Sequence, residues 1–118
     1  MTHYVDGFVF PVPREHLGEY TRVAQRAAVI WKEHGALDYH EYVGDDLTRA
    51  GTRSFVDALA ATEDEMIVFG WVVFDSREAR DRANERVAAD PRMAELIASS
   101  HSGFDAERMA YGGFSALV

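Results

Sequence analysis

Residues 66–74 read MIVFGWVVF, nine positions of which eight are apolar and one is glycine. A short run rich in β-branched and aromatic residues, closed by polar residues, specifies a strand. Side chains alternate between faces along a strand, so Met66, Val68, Val72 and Phe74 oppose Ile67, Phe69, Trp71 and Val73. Both sets are apolar. A sheet with helices on one side should instead alternate apolar with polar residues. Any fold for this chain must therefore cover two sheet faces.

The rest of the chain supplies the other elements. HYVDGFVFPV (3–12) reads as a first strand, with Val5 and Val9 on one side and Tyr4, Phe8 and Phe10 on the other. Pro13 suits a first helical position, and Leu17, Tyr20, Ala24, Ala27 and Trp31 recur at helical spacing, with Val23 and Ile30 widening the stripe. Gly35 is a natural stop. ALDYHEYVGDDL (36–47) is a second strand ending in turn residues. From Thr48 to Glu65 no period emerges; SFVDALAA (54–61) fits one short helix, or the stretch folds over the sheet as a long connection.

DSREARDRANERVAAD (75–90) predicts a second helix, with Asp75 and Glu78 as a capping box. Asp90 and Pro91 predict a stop and restart, Met93, Leu96 and Ile97 being the buried side of the short helix that follows. SSHSGFDAE (99–107) is loop, and RMAYGGFSALV (108–118) a last strand. The order β-α-β-β-α-β is that of a ferredoxin-like α+β fold with a four-stranded antiparallel sheet. Its 118 residues form a single domain, 1–118, with no repeat or linker.

Two helices cover one face only. A second copy of the same sheet is the simplest cover for the other, because an isologous pair buries the same patch on both partners. The expectation is a homodimer whose sheets meet face to face in a dimeric α+β barrel. The alternative is that the 48–65 connection and the Pro91 helix fold over that face within one chain.

Charge and composition narrow the function. There is no cysteine, which removes disulfides and thiol chemistry and fits a reducing, cytoplasmic setting. The opening residues carry no basic stretch followed by a long apolar run, so neither a signal peptide nor a membrane span is expected. The net charge of −8 repels phosphate backbones and argues against nucleic acid as a partner. Five histidines show no HExxH or comparable spacing, and GxGxxG is absent, so no metal and no cofactor is expected.

The blocks YVDGFVFPVP, WKEHGALDY, VGDD, SREARDRAN, ADPRM and FDAERMAYGGF run in order along nearly the whole chain. Together they resemble the small bacterial YbaA-like family of unknown function, in the dimeric α/β-barrel superfamily. The resemblance implies a ferredoxin-like homodimer. The superfamily also holds cofactor-independent oxygenases, haem-degrading enzymes and lactone isomerases, a kinship of fold that carries no residue over.

Several residues are candidates for chemistry. Asp6 shares its parity with Tyr4 and Phe8; inside the barrel it would be a carboxyl among aromatic rings and a candidate base. The alternative is a structural carboxylate bonded to a neighbouring strand or an arginine. His40 alternates with Asp38 and Tyr42 and would shuttle protons from an inner face, or else stand at a solvent-facing edge. Trp71 would wall a pocket or stack on an aromatic ligand, or belong to the core, as Trp31 does by its place in the helix stripe. Arg108 and Tyr111 would anchor an anionic group, or form an interstrand ion pair and a cross-strand contact. Tyr4, Phe8, Trp71, Arg108 and Tyr111 are thus the expected ligand set, with Asp6 and His40 as catalytic candidates.

Gly7, Gly70 and the pair Gly112–Gly113 fall in three strands that the ferredoxin-like order makes neighbours. They mark either a hollow for a ligand or, for the pair, a β-bulge that curves the sheet; the bulge is the preferred expectation. Function follows in two main readings. The first is a homodimer binding a small apolar or aromatic molecule in the barrel. The second is a cofactor-independent oxygenase or isomerase. An RNA-associated role ranks last.

Overall fold

The computed structural model describes residues 3–118. Four strands, β1 (Tyr4–Pro13), β2 (Asp38–Val43), β3 (Glu65–Phe74) and β4 (Ala110–Ser115), form one antiparallel sheet in the order β2-β3-β1-β4. The helices are α1 (Leu17–Glu33), α2 (Phe55–Ala58), α3 (Arg77–Ala89) and α4 (Pro91–Ser99). The element order and the sheet are those of a ferredoxin-like α+β fold. β1 pairs with both β3 and β4, so the expected central position of strand one is observed.

Register decides which side chains meet the helices. Tyr4 pairs with Phe74, Asp6 with Val72 and Phe10 with Val68, so these six share one face. Phe10, Val12, Val68, Val72 and Phe74 on this face are buried, with Phe10, Val12 and Phe74 at or below 1% exposure. Burying each such side chain is worth about 1.5–3 kcal/mol. Leu17 and Tyr20 of α1 pack on Phe10 and Val12, while Ala83 of α3 joins Val72 and Phe74. The stripe read from the sequence is shared: Leu17, Tyr20 and Trp31 pack on the sheet, while Val23, Ala27 and Ile30 pack against α3 and α4.

α4 packs with Ile30 of α1 and Val87 of α3 through Leu96. It therefore lies on the helix side and leaves the outer face alone. On that outer face Tyr42, Phe69 and Phe114 are exposed. The 44–64 connection contributes one element there: Phe55 of α2 stands edge-on to Phe69, ring centres 6.1 Å apart. The within-chain cover weighed above is thus partial.

Three local expectations are corrected. Pro13 remains in β1, at extended φ −57°, ψ 133°, and a 3₁₀ turn at Arg14–His16 precedes α1. The cap of α3 is Ser76, not Asp75: its backbone is extended and its hydroxyl accepts the Ala79 N–H at 3.0 Å. The predicted β-bulge at Gly112–Gly113 is absent, because Gly112 pairs with Gly7 and Gly113 with Asp6 in unbroken register.

What the glycines provide is room for rings. A β-carbon on Gly70 would stand 2.5 Å from the Phe8 ring. On Gly113 it would overlap the Tyr4 hydroxyl and lie 3.0 Å from the Arg80 guanidinium. Gly7 and Gly112 face outward, where the Phe114 ring lies 3.2–3.4 Å from both added β-carbons. The gaps therefore divide between the two faces, two on each.

Candidate functional site

Asp6 is 5% exposed on the helix face of β1. A buried carboxylate needs a partner. Arg80, reaching down from the first turn of α3, donates to Asp6 Oδ1 at 2.8 Å and to the Tyr111 hydroxyl at 2.8 Å. Its guanidinium also lies 4.9 Å from the centre of the Tyr4 ring, over its face. Burial, with the neighbouring Asp6 carboxylate, pushes the Tyr111 hydroxyl up to about 12. Gly113 leaves the space this cluster occupies.

Beside this cluster lies a pocket of about 600 Å³ between the sheet and the helices. Phe8, Phe10 and Val72 form its floor, and Asp6 and Tyr111 stand at one side. Trp31, Val87 and Met93 close it from the helices, with Phe104 from the loop after α4. Phe10 packs edge-on against both Tyr20 and Phe104, at 5.2 and 4.9 Å between centres. Its walls are mostly apolar, with the Asp6 carboxylate and the Tyr20, Tyr39 and Tyr111 hydroxyls as fixed polar groups.

A second polar cluster stands at β2. Tyr39 and Glu41 alternate on its helix face, opposite Val72 and Gly70. The carboxylate of Glu41 accepts the Tyr39 hydroxyl at 2.6 Å through one oxygen and the Tyr20 hydroxyl of α1 through the other. Burial raises Glu41 above its ordinary 4.5, opposed by those two hydrogen bonds. Burial and the carboxylate together drive both tyrosine hydroxyls far above their ordinary 10. Tyr20 and Tyr39 line the 600 Å³ pocket, and with Glu41 they also line a groove of about 400 Å³ between α1 and β2.

The expected ligand set does not assemble as a whole: Phe8, Trp71 and Tyr111 line an apolar trough on the outer face, Phe8 and Tyr111 also line the helix-side pocket, and Tyr4 and Arg108 line neither. Phe8, Asp6 and Tyr111 meet in the helix-side pocket, with Tyr4 beside them over Arg80. His40 and Trp71 pair with each other on the opposite face of the sheet, ring centres 5.3 Å apart, and Tyr42 stacks on Trp71. His40 bonds Asp38 at 2.9 Å and faces outward at an edge strand, so it cannot meet a ligand beside Asp6. Arg108 is engaged with both carboxylate oxygens of Glu65 and with the Ala60 carbonyl at 3.2 Å. It pins the end of the 44–64 connection to the approach of β4. Asp6 and Arg108 thus take the arginine-paired and ion-pair alternatives weighed above.

Arg80, Tyr20, Tyr39 and Glu41 were not singled out from the sequence for chemistry. One signal was available for the last two. In DYHEYV the parity holding Tyr39 and Val43 is the more apolar, so it marks the inward side, and Glu41 is its odd member. Arg80 carried no signal, because an arginine among the charges of α3 looks like any solvated residue.

Among the described residues no helix is long and apolar enough to cross a membrane. Solved structures agree with the fold. A nipsnap family protein of unknown function from Agrobacterium tumefaciens superposes with a TM-score of 0.60 at 13% identity, over 97% of this chain and 87% of that one. A dimeric ferredoxin-like protein from an uncultured marine organism gives 0.56 at 8% identity, over 100% and 96%. By sequence the chain is 41% identical over 115 residues to the uncharacterized protein YbaA of Escherichia coli K12 and to that of Shigella flexneri, covering 98% of this chain and 97% of each relative. Residues 3–106 match the family described as protein of unknown function, DUF1428, and with those end-to-end relatives this shows that the chain belongs to it.

Proposed function

We propose that the chain acts as a homodimer that binds a small apolar or aromatic molecule in the helix-side pocket of each protomer. The observation that carries this reading is the 600 Å³ pocket itself: aromatic walls, with hydroxyl and carboxylate groups held at fixed places by Arg80 and Glu41. The outer face supports the pairing. Tyr42, Phe69 and Phe114 are exposed there beside an apolar trough of about 560 Å³ that passes Gly7 and Gly112. A second copy is the occupant its composition favours, and the likeness to a dimeric ferredoxin-like protein points the same way.

The trough is the space the barrel would enclose, but its walls offer a ligand no charged side chain. The helix-side pocket offers both polar and apolar contacts, which is why it is the preferred site. Its test is a titration of the protein with 1-methylnaphthalene followed by methyl NMR. Val72, Val87 and Ile97 signals should shift and those of Val5 and Val9 stay. Met93→Trp, which fills the pocket, should weaken binding at least about tenfold, ~1.4 kcal/mol. Shifts confined to Val5 and Val9 would move the site to the trough, and no shifts at all would remove the reading.

A cofactor-independent enzyme is the second reading. It draws on Glu41, a partly buried carboxylate whose two hydrogen-bond partners are both hydroxyls.

A further inference from the structure

Tyr20, Glu41 and Tyr39 form the boundary between two spaces. Both tyrosines line the central pocket and the α1/β2 groove, whereas Glu41 lines only the groove. Each carboxylate oxygen takes one hydroxyl proton, and Glu41 has no arginine, lysine or histidine within ion-pair distance among the described residues. Among the described residues, every other carboxylate that takes a side-chain hydrogen bond takes it from an arginine or a histidine. Glu41 is the exception, and it is the one placed behind the aromatic pocket.

From this geometry we infer that Tyr20–Glu41–Tyr39 is a proton-transfer site for a hydroxylated aromatic ligand held in the central pocket. The inference rests on the binding reading above and deepens it by naming the ligand's chemistry. A tyrosine that donates to Glu41 turns its oxygen lone pairs toward other partners, so it can accept a hydrogen bond from the ligand's hydroxyl.

Proton transfer then runs in one relay. The ligand O–H bond breaks as its proton joins the tyrosine oxygen. The tyrosine's own O–H bond breaks as that proton joins a Glu41 oxygen. The products are an aryloxide in the pocket and a neutral Glu41 carboxyl, with no electron transferred. The groove, which Glu41 lines, gives the proton a way out that does not pass through the pocket. A carboxylate without a cation suits this role, because a guanidinium beside it would hold it as the anion and weaken it as an acceptor.

The test uses 4-nitrophenol, whose phenol and phenolate absorb differently, and nitrobenzene, which has no proton to give. Both are titrated into the wild type and Glu41→Gln at a pH where free 4-nitrophenol is neutral. Nitrobenzene binding to each protein measures what the substitution does to the pocket itself, apart from proton transfer. The phenolate fraction of bound 4-nitrophenol should fall about tenfold in Glu41→Gln, the equivalent of one unit of proton affinity. Tyr20→Phe combined with Tyr39→Phe should reproduce the fall, and it decides the matter if Glu41→Gln does not fold. Equal phenolate fractions with nitrobenzene still bound would overturn the relay and leave the pocket standing. If neither probe binds, the pocket reading fails and the relay with it.

Discussion

Arg80 and Asp6, 74 residues apart in sequence, close a 2.8 Å ion pair under α3, with side chains 11% and 7% exposed. The pair fixes the start of α3 over the first residues of β1 and holds Tyr111 by a second bond from the same nitrogen.

Breaking that pair from one side should be expensive. Arg80→Met leaves a buried carboxylate uncompensated and should cost about 3–5 kcal/mol. Arg80→Met with Asp6→Asn removes both charges and should recover a large part of the loss. Urea denaturation of the two single variants and the double measures the coupling; strictly additive losses would show that the pair contributes nothing as a pair.

Gly113→Ala should destabilise the protein by about 1–3 kcal/mol, because the added methyl overlaps Tyr4 and crowds Arg80. Gly18 in α1 is the contrast: a β-carbon there meets nothing within 4 Å. Gly18→Ala should stabilise by about 0.4–1 kcal/mol through the unfolded chain's lost freedom. Thermal melts of the two variants should move in opposite directions, and a neutral Gly113→Ala would undo the explanation given for that glycine.

Acid should weaken the anchor of the 44–64 connection. The hydrogen bonds from Arg108, then that from the Thr62 N–H, lower Glu65 from 4.5 to about 2. The folded state thus binds this proton less readily than the unfolded one, so the contribution is full above pH 4.5 and lost as pH falls toward 2. Arg108→Met should flatten stability against pH in that window. Some slope should persist, since Arg92 and then His34 hold Asp90 well below the usual carboxylate range. Parallel curves for variant and wild type would contradict the assignment.

Glu41 should act in the opposite sense. Its proton is held more tightly folded than unfolded, so stability should fall as pH rises from 4.5 through its raised value. Glu41→Gln should remove that fall. Urea midpoints across the window check it, and an unchanged slope would mean the carboxylate is solvated as in the open chain.

Long-period features were legible in the sequence. The two-faced MIVFGWVVF, the α1 stripe and the Asp90–Pro91 restart rest on patterns of residue type, and the structure reproduces them. The site was legible only in pieces. Asp6, Phe8 and Tyr111, all legible as candidates, converge, and His40 takes the outward edge-strand alternative stated for it, whereas Glu41 is not marked out as a candidate. In this six-residue edge strand Tyr39 and Val43 alone mark the inward side, and a carboxylate between them reads as a break in that pattern, not as a member of a site. Partners such as Arg80 depend on how α3 lies over β1, a relation no local pattern encodes. For the Gly112–Gly113 pair the preferred expectation is a β-bulge, whereas the room each glycine leaves is taken by rings on its own or neighbouring strands.

The pairing of outer sheet faces is most directly tested by sedimentation equilibrium of the intact protein at micromolar concentration. A species of twice the 13.2 kDa protomer mass is predicted, reduced to the protomer by Phe69→Asp on the outer face. A soluble wild-type protomer at that concentration, with Phe69, Tyr42 and Phe114 open to water, would contradict it.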